Sequence, residues 1–310
     1  MRIARLILLS QLALTPLAAS AFGDRFDAAL EAGGAGSGGA VRAERSPYVG
    51  AGVRYDYLPV NVYAGEHAYL HSDRVGLKLD LDADRRVYVF LAHRYEGTPL
   101  TRPPAALAGM ALREQGTDLG FGYRQRAAWG VLGVEFLHNV DDASRGSEVR
   151  LRLLEEVQRG QLRLWPQAML SWRDAKLNDY YYGVRATEAG AARPAYVAES
   201  GLNFELALYA TYPLSRHWQL LGGVSATQWA GSVRASPIVE NRLQAAATLG
   251  LLYEHSPQAD AWSESRPLWV KLYHGKASEC DVMQVVLLNF TSTSTPEETR
   301  VTSIELGRTL

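Results

Sequence analysis

From residue 48 onward the chain alternates apolar and polar positions with a period of two. In the run Val75-Gly76-Leu77-Lys78-Leu79-Asp80-Leu81-Asp82 every odd position is apolar, and the even ones are Gly, Lys or Asp. The same alternation sets Leu119, Phe121 and Tyr123 against Asp118, Gly120, Gly122 and Arg124, and Val149, Leu151 and Leu153 against Arg150 and Arg152. It returns in Leu132, Val134 and Phe136, in Leu202, Phe204, Leu206 and Leu208, and in Leu243, Ala245, Ala247, Leu249, Leu251 and Tyr253. Strict alternation of this length predicts strands with one apolar and one polar face. The predicted strands cover 49–58, 61–71, 74–82, 85–95, 117–127, 129–139, 147–158, 161–173, 179–186, 202–213, 216–230 and 241–254. That is about twelve, joined by short polar turns, with longer Pro-, Ala- and Gly-bearing gaps at 96–116 and 187–200.

The length of these segments decides the fold class. Strands of soluble sandwiches run to about five or six residues, whereas tilted strands that cross a bilayer need about ten. The polar face carries Arg, Asp, Glu and Lys, as a wet lumen would, and Tyr and Trp fall at segment ends where interfacial girdles lie. The sequence therefore predicts an all-β chain, an antiparallel transmembrane outer-membrane β-barrel of a Gram-negative bacterium with about twelve strands over 47–254. Two further segments precede it. Arg2 and Arg5, the apolar stretch Leu6–Leu17 and the small residues Ala19-Ser20-Ala21 read as a cleavable signal peptide over 1–21. The Gly-rich residues Gly33, Gly34, Gly36, Gly38 and Gly39 predict a flexible leader over 22–46 without regular structure.

Composition narrows the chemistry. The 310 residues are 47% hydrophobic and 21% charged with a formal net charge of -1, which excludes a disordered chain and offers no electrostatic case for nucleic-acid binding. Sixteen Tyr against seven Phe and four Met favour strands, and a lone Cys makes neither an internal disulfide nor a thiolate metal cage. No cofactor and no metal site is expected, since His67 and His71 stand four apart on a strand or turn rather than on a helix. Outer-membrane lipid is the partner that the apolar faces require.

Particular residues carry a family resemblance. Trp172-Arg173-Asp174 followed by Asn178-Asp179-Tyr180-Tyr181-Tyr182-Gly183-Val184, then Tyr212-Pro213-Leu214-Ser215 before Trp218, then Ala235-Ser236-Pro237-Ile238-Val239, resemble the MipA/OmpV outer-membrane family over residues 45–254. Leu107-Ala108-Gly109-Met110 ahead of Asp118-Leu119-Gly120 has a counterpart there as well. The resemblance implies a non-enzymatic barrel that scaffolds peptidoglycan-remodelling enzymes, a lytic transglycosylase and a murein synthase, at the cell envelope.

Each signature element also has a plain structural reading. The three tyrosines before Gly183 suit an interfacial belt and a strand bend as well as a partner-binding surface. Ser236-Pro237 suits a turn before the last strand. Asp174 and Asp179 suit an acidic pair with Arg173 and Lys176 at a barrel rim. The residues after Tyr253 depart from the pattern: 255–266 read as a polar linker, and 268–273, 282–290 and 301–310 as short strands of a C-terminal extension. A faint likeness of 270–278 to the opening strand of lipid A deacylase barrels raises an outer-membrane lipid hydrolase, and the alternating lumen raises a pore. The hydrolase lacks a sequence-adjacent Ser–His pair: His274 and Ser278 on one strand lie about 13 Å apart, and His93, His138 and His217 read as lumen or rim residues.

Overall fold

A computed structural model describes residues 35–96, 104–141 and 143–255, and the backbone of 268–272 and 284–288. The signal peptide, the first part of the leader, and the predicted strand at 301–310 with His274 and Ser278 lie outside the described residues.

Thirteen strands form one antiparallel sheet that closes on itself. They are β1 (Ala35–Arg45), β2 (Val53–Ala64), β3 (Ala68–His71), β4 (Arg74–Asp80), β5 (Arg85–Arg94), β6 (Gly116–Ala127), β7 (Gly130–Asn139), β8 (Ser147–Leu154), β9 (Val157–Arg159), β10 (Leu162–Arg173), β11 (Gly201–Pro213), β12 (Trp218–Gln228) and β13 (Leu243–His255). β8 and β9 both pair with β10 and are separated by Glu155 and Glu156, so they act as one bulged strand and the barrel has twelve staves. Closure comes from β1, which pairs with β2 on one side and with β13 on the other, Val41 lying between Tyr57 and Leu249. Along most of the wall each strand's backbone donors and acceptors face a neighbouring strand, as lipid requires of a spanning sheet, while β2 meets β3 only over Val62, Tyr63 and Ala64. Among the described residues no helix is long and apolar enough to cross a membrane.

The count of twelve agrees with the sequence, but three positions do not. The glycine-rich leader is not free of regular structure: from Ala35 it is β1. Its glycines mark close approach rather than a linker, because a Cβ on Gly38 would strike the Leu251 carbonyl oxygen and one on Gly39 would meet the Tyr57 ring. An aromatic side chain covering a strand glycine in this way fills the surface that the glycine leaves bare. Conversely, the predicted strand at 179–186 is not a strand: 179–182 close a helix and 183–185 leave it as irregular chain. Helix α1 (Ala175–Tyr182) starts at Asp174, whose carboxylate accepts from the Leu177 N–H at 2.8 Å. The predicted strands 49–58 and 61–71 are in fact one long strand, β2, followed by the short β3.

The pleat sends apolar side chains outward. Leu77, Leu79, Leu206, Val224 and Leu249 stand exposed on the outer wall, with Leu249 63% exposed. Trp172 and Tyr55 mark one end of that wall, and Trp129, Tyr63, Tyr212 and Trp218 the other, the two aromatic girdles of a bilayer-spanning barrel. Inward-facing side chains are mostly buried and fill the lumen. On the β11–β12–β13–β1–β2 side the filling is largely apolar, with Ala40, Leu58, Val60, Val62, Tyr209, Leu221 and Leu252 in one cluster, and it also holds the buried Arg42–Glu44 pair and Asp56. On the opposite side, β4 to β8 and β10, it is charged. A separate two-stranded antiparallel hairpin, β14 (Leu268–Leu272) with β15 (Gln284–Leu288), belongs to a second compact unit.

Candidate functional site

The strand ends divide the molecule into two dissimilar faces. At one end the turns are short: 65–67, 81–84, 128–129, 160–161 and 214–217. At the other stand the segments 46–52, 95–96 with 104–115, 140–141 with 143–146, 174–200 and 229–242, and these pack into a cap. Its core joins Tyr48, Leu107, Leu177, Tyr181, Tyr182, Val184, Trp229, Val233 and Ile238. Tyr182 stacks on Tyr48 at 5.6 Å between ring centroids and lies 5.5 Å from Trp229. Arg113 locks two loops together, donating to both Glu188 carboxylate oxygens at 2.9 and 2.8 Å. Those hydrogen bonds, with others from the Ala111 and Arg185 N–H groups, hold the Glu188 carboxyl down at about 2. Arg193 adds hydrogen bonds to the carbonyls of Ala106 and Ala108 at 2.6 and 3.0 Å.

Directly beneath the cap the lumen holds a ladder of ion pairs. Glu148 is central: Arg94 reaches it at 2.8 Å, Arg150 at 3.0 Å and Arg173 at 3.4 Å. Arg94 also meets Asp118 at 2.6 Å, and Arg173 meets Glu96 at 2.8 Å. Arg150 lies 3.8 Å from Glu135, which pairs with Arg74 at 2.9 Å and accepts from the Tyr88 hydroxyl at 3.0 Å. Arg74, Arg94, Arg150 and Arg173 thus stand against Glu96, Asp118, Glu135 and Glu148, with the buried Asp73 side chain in the same cluster. The ladder is tied to the cap by the Tyr182 hydroxyl, which donates to Glu96 at 2.7 Å. Burial, then the Glu96 carboxylate, push that phenol far above its ordinary range, so it stays a donor. Cavities among the lumenal side chains measure about 40, 30 and 20 Å³, room for one or two waters each. A shallow groove of about 610 Å³, bordered by Leu206, Leu208 and Val224, lies on the outward wall instead.

The signature residues gather at the cap. Asp174 caps α1 and also accepts from the Ser147 N–H at 2.9 Å. Asn178 is fully buried and donates to the Glu199 carbonyl at 2.8 Å, and Asp179 accepts from the Ala198 N–H at 3.0 Å. The tyrosines are not a membrane belt. Tyr181 and Tyr182 are buried in the cap core, and the Tyr180 hydroxyl accepts from the Glu114 N–H at 2.8 Å. Gly183 follows the helix at a point where a Cβ would strike the Asp179 carboxylate, and its carbonyl accepts from Arg113 at 3.3 Å. Val184 is buried and bridges to Tyr196. Ser236 and Pro237 lie in a turn, and the Ser236 hydroxyl donates to the Tyr182 carbonyl at 2.6 Å. Trp172 alone points outward, at the aromatic girdle. Asp174 and Asp179 form no acidic pair with Arg173, which turns into the lumen.

Nucleophile chemistry finds a fragment of a constellation and no more. The closed sheet brings Ser147 Oγ to 2.9 Å from His138 Nδ1, a pair that a separation of nine positions hides in the sequence. His138 is exposed and Ser147 half-buried, both on the outward side of their strands, and among the described residues no carboxylate is hydrogen-bonded to that imidazole. His93 is likewise exposed, bonded to Gln115, and His217 stacks on Tyr253 in a turn. The ion-pair ladder, which sequence reading missed, joins residues up to 77 positions apart. Alternating Arg and Glu on inward positions of adjacent strands was its visible trace.

Fold, girdles and a capped, side-chain-filled lumen define a closed outer-membrane β-barrel, and the protein is an outer-membrane protein. The chain belongs to the family of the MltA-interacting protein MipA, whose family model matches residues 37–255. It is 29% identical over 139 residues to outer membrane protein Omp26La of Vibrio anguillarum and 27% to OmpV of Vibrio cholerae, covering 45% of this chain and 54% of each relative. Those matches span about half the length of these two curated relatives. The putative outer membrane protein YiaT of Escherichia coli K12 is 23% identical over 66% of this chain and 83% of its own. Among solved structures, the COG4313 outer membrane channel of Pseudomonas putida is 12% identical over 73% of this chain and 96% of its own, with a TM-score of 0.38.

Proposed function

We propose that this barrel is a non-enzymatic scaffold for peptidoglycan-remodelling enzymes, presenting its short-turn end to the periplasm and its cap to the cell exterior. The observation that carries the proposal is the filled lumen. Among the described residues, ion pairs and apolar side chains occupy the lumen beneath a packed cap, which supports a barrel that works through its surfaces. Longer loops lie outside in bacterial outer-membrane barrels, which turns 81–84, 128–129, 160–161 and 214–217 toward the cell wall. Family membership supplies the partner class: the name MltA-interacting protein implies a lytic transglycosylase, and a murein synthase is the second enzyme of the proposed assembly.

The test is a cross-linked affinity pull-down of the tagged full chain from intact cells, read by mass spectrometry. The expected result is recovery of a lytic transglycosylase or a murein synthase, lost when the short turns are altered. Recovery of neither removes the scaffold. Liposomes carrying the refolded barrel are expected to swell no faster than empty ones, and solute entry above that baseline would reinstate a pore.

A further inference from the structure

A cleft of about 520 Å³ opens in the cap between α1 and the segment 183–197. Its size falls within the range of small-ligand sites, and four signature residues, Asp179, Tyr180, Gly183 and Val184, help to line it. Two half-buried tyrosines give it rigid walls. The Tyr180 hydroxyl is held by the Glu114 N–H at 2.8 Å, and the Tyr196 hydroxyl donates to the Ser232 carbonyl at 2.6 Å. Two cations, Lys176 and Arg185, stand exposed at the same cleft, and neither side chain has an ion-pair partner among the described residues. In a cap where Arg113 and Arg193 are each committed to a loop contact, two uncommitted cations beside fixed aromatic rings need another explanation. The Asp179 carboxylate is positioned by the Ala198 N–H through Oδ1 at 3.0 Å, which leaves Oδ2 to accept from a ligand.

We propose that this cleft binds an acidic saccharide, a sugar ring carrying a carboxylate or phosphate. Tyrosine faces take the apolar face of a sugar ring, a carboxylate takes its hydroxyl donors, and a lysine–arginine pair takes its anion through charge-assisted hydrogen bonds. Pre-set rings also spare the ordering cost that binding would otherwise carry. The chemistry is the same whether the saccharide is soluble or is the core of a membrane-borne lipopolysaccharide.

The probe is trigalacturonic acid, titrated calorimetrically into the full chain refolded in detergent, with neutral galactotriose alongside. Saturable binding of the acidic trisaccharide is expected, with none of the neutral one. Lys176→Gln and Arg185→Gln should each weaken it about tenfold, with unfolding temperatures unchanged because neither side chain has a partner to lose. Acylation of Lys176 in nanodiscs with and without lipopolysaccharide separates the sources. Shielding of Lys176 by lipopolysaccharide assigns the membrane-borne saccharide, and trigalacturonate binding without shielding assigns a soluble one. Absence of both, equal binding of the neutral sugar, or variants that bind as the parent does would each overturn the proposal.

Discussion

The capped end and the membrane-spanning wall are held together by different physics. The wall rests on backbone ladders and on apolar side chains turned to lipid, so its stability is spread over many equivalent positions. The cap has no ladder. It is a set of loops fastened by an apolar cluster, by Arg113–Glu188 and by the ladder of guanidiniums and carboxylates under it. Buried ion pairs add little over an apolar filling but cost heavily when one partner is removed. The cap is therefore the brittle region, where a few named residues carry the closure, whereas the wall tolerates change at most positions.

Arg173→Ala is the sharpest way to break that contrast. It strips Glu96 and Glu148 of a shared partner and removes the cation lying 5.0 Å over the Trp229 ring. The expected cost is about 3–5 kcal/mol, read as faster amide exchange in 174–200 and 229–242 while the short-turn end keeps its protection. Equal exchange at both ends would show that cap and wall unfold as one. Leu249→Arg attacks the wall instead, placing a charge midway along β13, and is expected to cost about 2–4 kcal/mol in reversible unfolding from lipid, with the cap following the barrel. Acid addresses the Arg113–Glu188 lock. Since folding depresses the Glu188 carboxyl to about 2, its stabilisation is whole above the ordinary carboxylate value near 4.3 and is lost as the pH falls toward 2. Proteolysis of 104–115 should accelerate across that window in the parent protein and stay flat in Glu188→Gln; identical profiles would remove the lock. Ser236→Ala is the mildest, about 1 kcal/mol for one hydrogen bond to the Tyr182 carbonyl, seen as a small loss of protection near α1.

The division between wall and cap is also the division between what the sequence disclosed and what it hid. Period-two patterning located β4 to β8 and β10 to β13 because lipid enforces apolarity at every second position. β1 escaped because its inward and outward positions include Gly36, Gly38 and Gly39, whose role is to admit Tyr57 and the β13 backbone rather than to bury themselves. In α1 the run of tyrosines imitates a strand, although Asp174 followed by Leu177 and Tyr181 at a spacing of four was a readable helix signal. The signature residues gather around Trp229 and Glu96 through contacts between loops far apart in the chain. No local pattern encodes those.

The seam between β1 and β13 has a consequence for assembly. It pairs Ala35 with His255, so it forms only when the first and last staves meet across the whole intervening sequence. Such pairing gains nothing until nearly every other hydrogen-bonded neighbour is in place, and contacts of that separation are the slow ones in folding. Until then both edges display bare amides and carbonyls, the form most prone to stick to another chain. A first stave rich in glycine offers such a partner almost no apolar side chain to grip. Slim edges of this kind favour completion of the ring over association with a second copy.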